Sequence, residues 1–181
     1  MNHAPELRTV RLRLIASSLE AAAAEINDRD TLESLLNAKI PDDWPPPFND
    51  EDSQRWLYDM LSREPSAVGW FMWYFIRDDG APRMLVGNGG FKGAPKDGVA
   101  EIGYSIVPEF QRRGYGSEAV SALIAWAFSH ESVNRIVAET LPELLPSQLL
   151  LRKLGFQRCR GTSEPNVLRY ELWRGTLSCS R

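Results

Sequence analysis

The sequence predicts a mixed α/β fold, a mostly antiparallel central sheet of about seven strands with helices on both faces. Three observations support this. Seven short stretches show two-residue alternation or are rich in aromatic and β-branched residues, as strands are. Segments of helical period, several opened by capping residues, lie between them. Short turns join neighbouring strands, which suits antiparallel pairs. The chain has 181 residues, enough for one domain with a sizeable core, and residues 1–181 read as a single unit.

The first strand is "TVRLRLI", residues 9–15, with Val10, Leu12 and Leu14 on one face and Arg11 and Arg13 on the other. "SSLEAAAAEI" follows, and Ser17 with Glu20 fits a capping box. "DRDTLESLLNAKI" repeats the device with Asp30 and Glu33, and Pro41 closes that helix. Periodicity then stops in "PDDWPPPFNDEDS", where Pro45, Pro46 and Pro47 favour a stiff, extended loop. "DEDSQRWLYDMLSREP" is a short helix ending near Pro65. "WFMWYFIRD" and "MLVGNGGF" are strands joined by the turn "GAPR". "KGAPKDG" turns the chain into "VAEIGYSIV", a strand stopped by Pro108. "SEAVSALIAWAFSH" is a helix with Val120, Leu123, Ala127 and Phe128 on one side. "NRIVAETL" is the next strand, and "PSQLLLRKLGF" a helix ended by Gly155. "QRCRGTS" and "VLRYELW" close the chain as strands.

Composition narrows the function. The formal net charge is -3, so nothing global points to nucleic acid or an anionic membrane, and any anion site must be local. Cys159 and Cys179 are too few for a disulfide framework and lack metal-ligand spacing; with only His3 and His130, no metal site is expected. No apolar run approaches the ~20 residues that span a bilayer, and the N-terminus has no cleavage pattern. The expectation is a cytoplasmic protein.

The segment "VPEFQRRGYGSEAV", residues 107–120, puts two arginines and two glycines between a strand and a helix. The first amides of a helix lack intrahelical partners and carry partial positive charge, so this place suits an anion such as a phosphate. Gly114 and Gly116 keep side chains away from those amides, and Arg112 and Arg113 add charge. The pattern is neither the nucleoside-triphosphate loop nor the dinucleotide fingerprint. A glycine-rich turn with solvated arginines is the bland alternative.

"EIGYSIVPEF", "QRRGYG" and "SEAVSALIAWAF" together resemble the acetyl-CoA site of the GCN5-related N-acetyltransferases. "AETLPELLPSQLLLRKLGF" is similar to that family's later strand and helix, and "LRTVRLRLI" resembles the branch that includes the ribosomal-protein alanine N-acetyltransferases. The resemblance runs over residues 7–173, most specifically over 101–156 and weakly over 40–67. It implies acetyl-CoA as cosubstrate and direct attack of an amine on the thioester. It also implies that Gln111, Arg112, Arg113, Gly114, Tyr115 and Gly116 wrap the pyrophosphate, with Ser117 opening the helix. It implies further that the central strand splays from the next parallel strand. Pantetheine would lie in that gap, with Ile106 and Val107 on one wall and "RIVAET" on the other. A backbone N–H near Val107 would polarise the thioester carbonyl.

Amine attack needs a proton removed from the acceptor and the thiolate stabilised or protonated. The resemblance makes Glu101 the candidate base; a structural ion pair is its other reading. The family's usual tyrosine acid is replaced by Leu151, and Ser147 matches the serine of the ribosomal-protein branch. Following Pro146, Ser147 also reads as a helix N-cap or a coenzyme contact, ahead of proton donation. Leu144 stands where the family has an asparagine. Tyr104 reads as core packing and Tyr115 as a neighbour of the phosphate loop. The acceptor is expected against Asp42, Asp43, Trp44, Phe48, Trp70 and Trp73, although alternate aromatics in a strand also fill cores. Protein N-terminus and small-molecule amine stay open as acceptors, a homodimer stays open as an assembly, and a non-catalytic CoA-binding or regulatory module is the alternative to an enzyme.

Overall fold

The computed structural model describes residues 4–175; His3 and Cys179 lie outside them. The chain opens with β1 (Glu6–Arg8) and β2 (Leu12–Ala16), followed by α1 (Leu19–Asn27), α2 (Arg29–Leu36) and α3 (Glu51–Arg63). Next come β3 (Met72–Arg77), β4 (Met84–Phe91), β5 (Val99–Ile106) and α4 (Tyr115–Ser129). β6 (Arg135–Thr140), α5 (Leu145–Lys153), β7 (Gln157–Cys159) and β8 (Leu168–Trp173) complete it. The strands form one sheet in the order β1-β2-β3-β4-β5-β6-β8-β7. Every neighbouring pair is antiparallel except β5 and β6. The expected mixed, mostly antiparallel sheet is therefore present with an eighth strand. That strand is β1, which pairs Glu6 with Ile15 and Arg8 with Arg13.

Alternation decides what faces inward. Leu12 and Leu14 of β2 are buried with Val120, Leu123 and Ala127 of α4 on one face of the sheet. Tyr74, Ile76 and Leu85 face the other side, against Ala21, Ala24, Leu32 and Leu36 of α1 and α2. α3 completes that layer with Leu57 and Leu61 against Ala22 and Phe71. Val10 was expected on the buried face, but it stands in the β1–β2 turn, 92% exposed.

The helix starts differ from the expected caps by one or two residues. Ser18, not Ser17, accepts the Ala21 N–H and caps α1; Ser17 is buried beside Tyr74. Asp28, not Asp30, accepts the Thr31 N–H and caps α2. That helix ends at Asn37, whose left-handed backbone (φ 48°) turns the chain before Pro41 is reached. Short polar side chains tolerate this conformation better than most. No helix among the described residues is long and apolar enough to cross a membrane.

Candidate functional site

The parallel pair separates. β5 pairs with β6 only from Val99↔Arg135 to Glu101↔Val137. Beyond that, β5 stays with β4 as far as Ile106, and β6 stays with β8 as far as Thr140. Residues 102–106 and 138–140 therefore face each other across a gap. The Lys92 N–H donates to the Glu101 carbonyl and the Val107 N–H to the Val86 carbonyl, each at 3.0 Å. Antiparallel strands alternate their bonding direction, so the peptide groups of Tyr104 and Ile106 point into the gap. The Val107 N–H is already given to β4; near it, the donors turned to the gap are those of Tyr104 and Ile106. The Ile106 carbonyl accepts from Gln111 Nε2 at 2.9 Å, which ties the loop to the strand end.

A cavity of about 630 Å³ runs from this gap to the start of α4. Ile106, Gln111, Arg112 and Gly114 line it, as do Tyr115, Gly116 and Ser117. Val107 and Arg113 do not. Val107 is fully buried, and the Arg113 guanidinium lies 5.5 Å from the Phe110 ring centroid. Gly114 takes φ +86° at the α4 N-cap, a left-handed backbone that costs a residue with a Cβ about 1–2 kcal/mol. The Glu118 N–H donates to the Gly114 carbonyl at 3.1 Å, the first bond of the helix. The amides of Tyr115, Gly116 and Ser117 precede that bond and have no carbonyl one turn back. A Cβ at Gly116 would sit 3.1 Å from Leu150 Cδ1 and 3.5 Å from Ile106 Cγ1, so both neighbouring side chains close tightly on the helix start.

A second cavity, of about 730 Å³, lies on the side of α3 and the 37–50 loop. The two share Phe48, Tyr104, Ser105, Glu139, Thr140 and Leu144 and so meet in the splay. At that junction the Tyr104 hydroxyl is 3.0 Å from Ser147 Oγ. Burial pushes the Tyr104 phenol up to about 12, against the smaller downward pull of the Ser147 bond. Tyr104 is thus not simple core packing. Nor is Ser147 a helix cap: α5 begins at Leu145 with Leu144 as N-cap, no side chain caps it, and the Ser147 hydroxyl turns to Tyr104. Leu151, 1% exposed, is part of the core.

Three carboxylates surround the site in different states. Glu101 is ion-paired with Lys92 and lines neither cavity, whereas Lys92 lines the second. Glu139 lines both cavities and accepts from Ser163 N–H and Arg169 Nη1, each at 2.8 Å. Burial pushes its carboxyl up, but the bonds from Ser163 and Arg169 outweigh this and hold it below the usual range. Glu25 of α1 accepts from Tyr74 Oη at 2.7 Å and from Trp44 Nε1 and Asn49 Nδ2 at 3.1 Å each. Burial pushes it up, against these three hydrogen bonds.

Of the expected acceptor residues, only Phe48 lines a cavity; it is 72% exposed with φ +67°. Trp44 packs inward against both core clusters and donates to Glu25. Trp73 is fully buried and donates Nε1 to the Gly69 carbonyl at 2.8 Å. Trp70 packs on Phe91 and Trp126. Asp42 and Asp43 are exposed and line neither cavity, and Asp42 lies 3.7 Å from Arg29. Asp42, Asp43 and Trp44 are absent from the cavities because the loop folds its indole onto Glu25 of α1 and leaves its acidic tip in solvent, whereas Trp70 and Trp73 are taken up by the core. The second cavity instead uses Trp56, Leu57 and Met72 as apolar walls, with Asn88, Asp52 and Thr140 as polar groups. Asn88, a polar residue 5% exposed inside β4, carried the one signal that could have marked this wall from sequence.

The family profile "Acetyltransferase (GNAT) domain" matches residues 10–157. Over 154 residues the chain is 32% identical to the uncharacterized N-acetyltransferase YjdG of Bacillus subtilis, covering 83% of this chain and 88% of that protein. Among solved structures it superposes on RimL, a ribosomal L7/L12 alpha-N-protein acetyltransferase in complex with coenzyme A. That match has a TM-score of 0.65 at 18% identity and covers 93% of this chain and 98% of that one. The ribosomal-protein-S5-alanine acetyltransferase of Vibrio fischeri superposes with a TM-score of 0.63 at 16% identity, over 94% and 97% of the two chains. Splayed sheet, family profile and relatives agree, and the chain belongs to the GNAT family of N-acetyltransferases.

Proposed function

We propose that the protein binds acetyl-CoA in the 630 Å³ cavity and transfers the acetyl group to the primary amine of a peptide N-terminus held in the 730 Å³ cavity. The observation that carries this reading is the meeting of the two cavities at Tyr104, Ser105 and Thr140. A donor and an acceptor entering from opposite sides could meet only there. The pyrophosphate would sit on the amides of Tyr115, Gly116 and Ser117 at the positive end of α4. Arg112 lines that cavity and would add charge there; Arg113, outside it, would act at longer range. The pantetheine arm would lie in the gap, bonded to the peptide groups of Tyr104 and Ile106 in the manner of an added strand. The Ile106 carbonyl is held by Gln111, and the N–H groups of Tyr104 and Ile106 would be the donors available to polarise the thioester carbonyl.

The amine attacks as the free base, a C–N bond forms and the C–S bond breaks. Glu101 would take the amine proton through a bridging water, since its side chain stands outside the cavity wall. The departing thiolate would be protonated by the hydroxyl pair Tyr104–Ser147, which fills the role that Leu151 cannot. A peptide suits the second cavity because it extends from Thr140 past Phe48 to Trp56, a greater reach than a lone amine requires. A panel of peptides with free N-termini and of small amines, read by thiol release from acetyl-CoA, tests the reading. Turnover with peptides and not with their N-terminally blocked forms is expected; turnover confined to small amines would overturn the peptide assignment.

A further inference from the structure

Arg11 stands in the turn between β1 and β2, far in sequence from the phosphate loop, yet its side chain holds that loop at three points. Its Nε and Nη2 meet Glu118 Oε2 at 2.8 and 2.7 Å. Its Nη1 donates to the Arg113 carbonyl at 2.9 Å. Its guanidinium carbon lies 4.8 Å from the Tyr115 ring centroid. Glu118 is bound a second time, by the Arg11 backbone N–H at 2.8 Å and by Thr9 Oγ1 at 2.6 Å, so the acid cannot swing away. The Arg113 carbonyl directly precedes Gly114, the residue that needs φ +86°, and Arg112 just before it takes φ +60°. The clasp thus fixes one peptide inside a strained turn and, through Glu118, the first turn of α4. Arg11 does not line the coenzyme cavity, and its charge is neutralised by Glu118.

We propose that Arg11, clasped by Glu118, which Thr9 in turn holds in place, is a positioning residue of the phosphate loop. It locks the Arg113–Gly114 peptide so that the amides of Tyr115, Gly116 and Ser117 converge on the pyrophosphate of coenzyme A. This rests on the coenzyme site proposed above. Preorganised donors bind more tightly because the loop need not be ordered on binding. A residue acting by geometry rather than charge leaves two signatures. Its loss weakens ligands that carry the pyrophosphate and spares those that do not. Removed together with its counter-charge on Glu118, it also leaves the salt dependence of binding intact, whereas Arg112 contributes screened charge.

The test is calorimetry on the full chain with coenzyme A and with pantetheine, which has the thiol arm without the pyrophosphate, at several salt concentrations. For Arg11→Ala the Kd for coenzyme A is expected to rise by about tenfold or more with pantetheine affinity unchanged, and in Arg11→Ala combined with Glu118→Gln, which leaves no unpaired charge, the salt slope too stays at the wild-type value. Arg11→Lys should not rescue, because an ammonium cannot span Glu118 and the Arg113 carbonyl as a planar fork does. Equal loss of both ligands, or unchanged coenzyme A affinity, would overturn the proposal. Should Arg11→Ala unfold, Thr9→Val and Glu118→Gln loosen the clasp more gently and must show the same selectivity between ligands. A wild-type chain that fails to bind coenzyme A would refute the coenzyme site itself, whereas wild-type binding with unaltered variants refutes only the clasp.

Discussion

Two hydroxyls meet where the cavities join, and their roles can be separated residue by residue. Tyr104, with its phenol pushed up to about 12, keeps its proton throughout the neutral range and can donate to Ser147 Oγ at 3.0 Å. Ser147→Ala is expected to lower kcat by about 10²-fold, with coenzyme A affinity and melting temperature close to wild type. A melting temperature near wild type agrees with the absence of a cap at Ser147, since loss of an N-cap would cost about 1 kcal/mol. Tyr104→Phe should lower kcat less, since Ser147 keeps its own proton. If neither variant slows the chemical step in single-turnover kinetics, the hydroxyl pair is structural. For Glu101→Gln a kcat loss of about 10²-fold is expected, with coenzyme A affinity kept. A kcat equal to wild type would return Glu101 to the role of ion-pair partner for Lys92.

Among the elements, the 37–50 loop depends on α1 for its shape. Trp44 and Asn49 both donate to Glu25, which also accepts from Tyr74 of β3. One carboxylate thus joins helix, strand and loop, and the residues that follow Trp44, Pro47 and Phe48, line both cavities. Glu25→Ala leaves three donors without their acceptor and should cost about 1–3 kcal/mol of stability for each donor that stays dry. Because the loop then loses its anchor, KM for the acceptor should rise more than the Kd for coenzyme A, whose pyrophosphate end lies away from the loop. Denaturant melts together with acceptor kinetics check this; an unchanged KM in a destabilised variant would show the loop to be a mere connection.

For the whole molecule, stability against acid follows from which carboxylates fold into bonds. Burial pushes Glu118 and Glu139 up, but their hydrogen bonds outweigh it, so both fold with lowered values. A lowered folded value contributes stability that is present above the unfolded glutamate pKa of about 4.3 and is lost as pH falls through the folded value. Each acid also joins distant segments: Glu118 holds the β1–β2 turn, and Glu139 holds the segment before β8. Glu25 has the opposite sign. Burial raises it, so its contribution declines as pH rises from the unfolded value through the folded one. Chemical denaturation across the acid range should therefore show a shallower acid loss for Glu118→Gln and Glu139→Gln and a steeper one for Glu25→Gln. The same change of slope in all three variants would contradict this opposition between Glu25 and the other two acids.

The sequence alone determined the architecture and the strand–glycine–helix junction that opens α4. Two-residue alternation reports which face of a strand is buried, and a strand–Gly–helix junction reports an exposed helix N-terminus; both are local properties of the chain. β4 and the family-like stretch around Gln111–Ser117 were legible for this reason. β1 was not, because three residues, Glu6–Arg8, carry too little alternation to separate from a polar leader. Caps moved from Ser17 to Ser18 and from Asp30 to Asp28 because several adjacent residues can cap, and packing of the next turn chooses among them. Tertiary structure alone decided the acceptor side. Whether Trp44 faces a ligand or a carboxylate depends on Glu25, 19 residues away and on another element. Whether Ser147 caps a helix or meets Tyr104 depends on how far β5 diverges from β6. Which amides near Val107 face the gap was decided for a similar reason: the bonding parity of a strand is set by its partner, and no residue in β5 encodes that parity by itself.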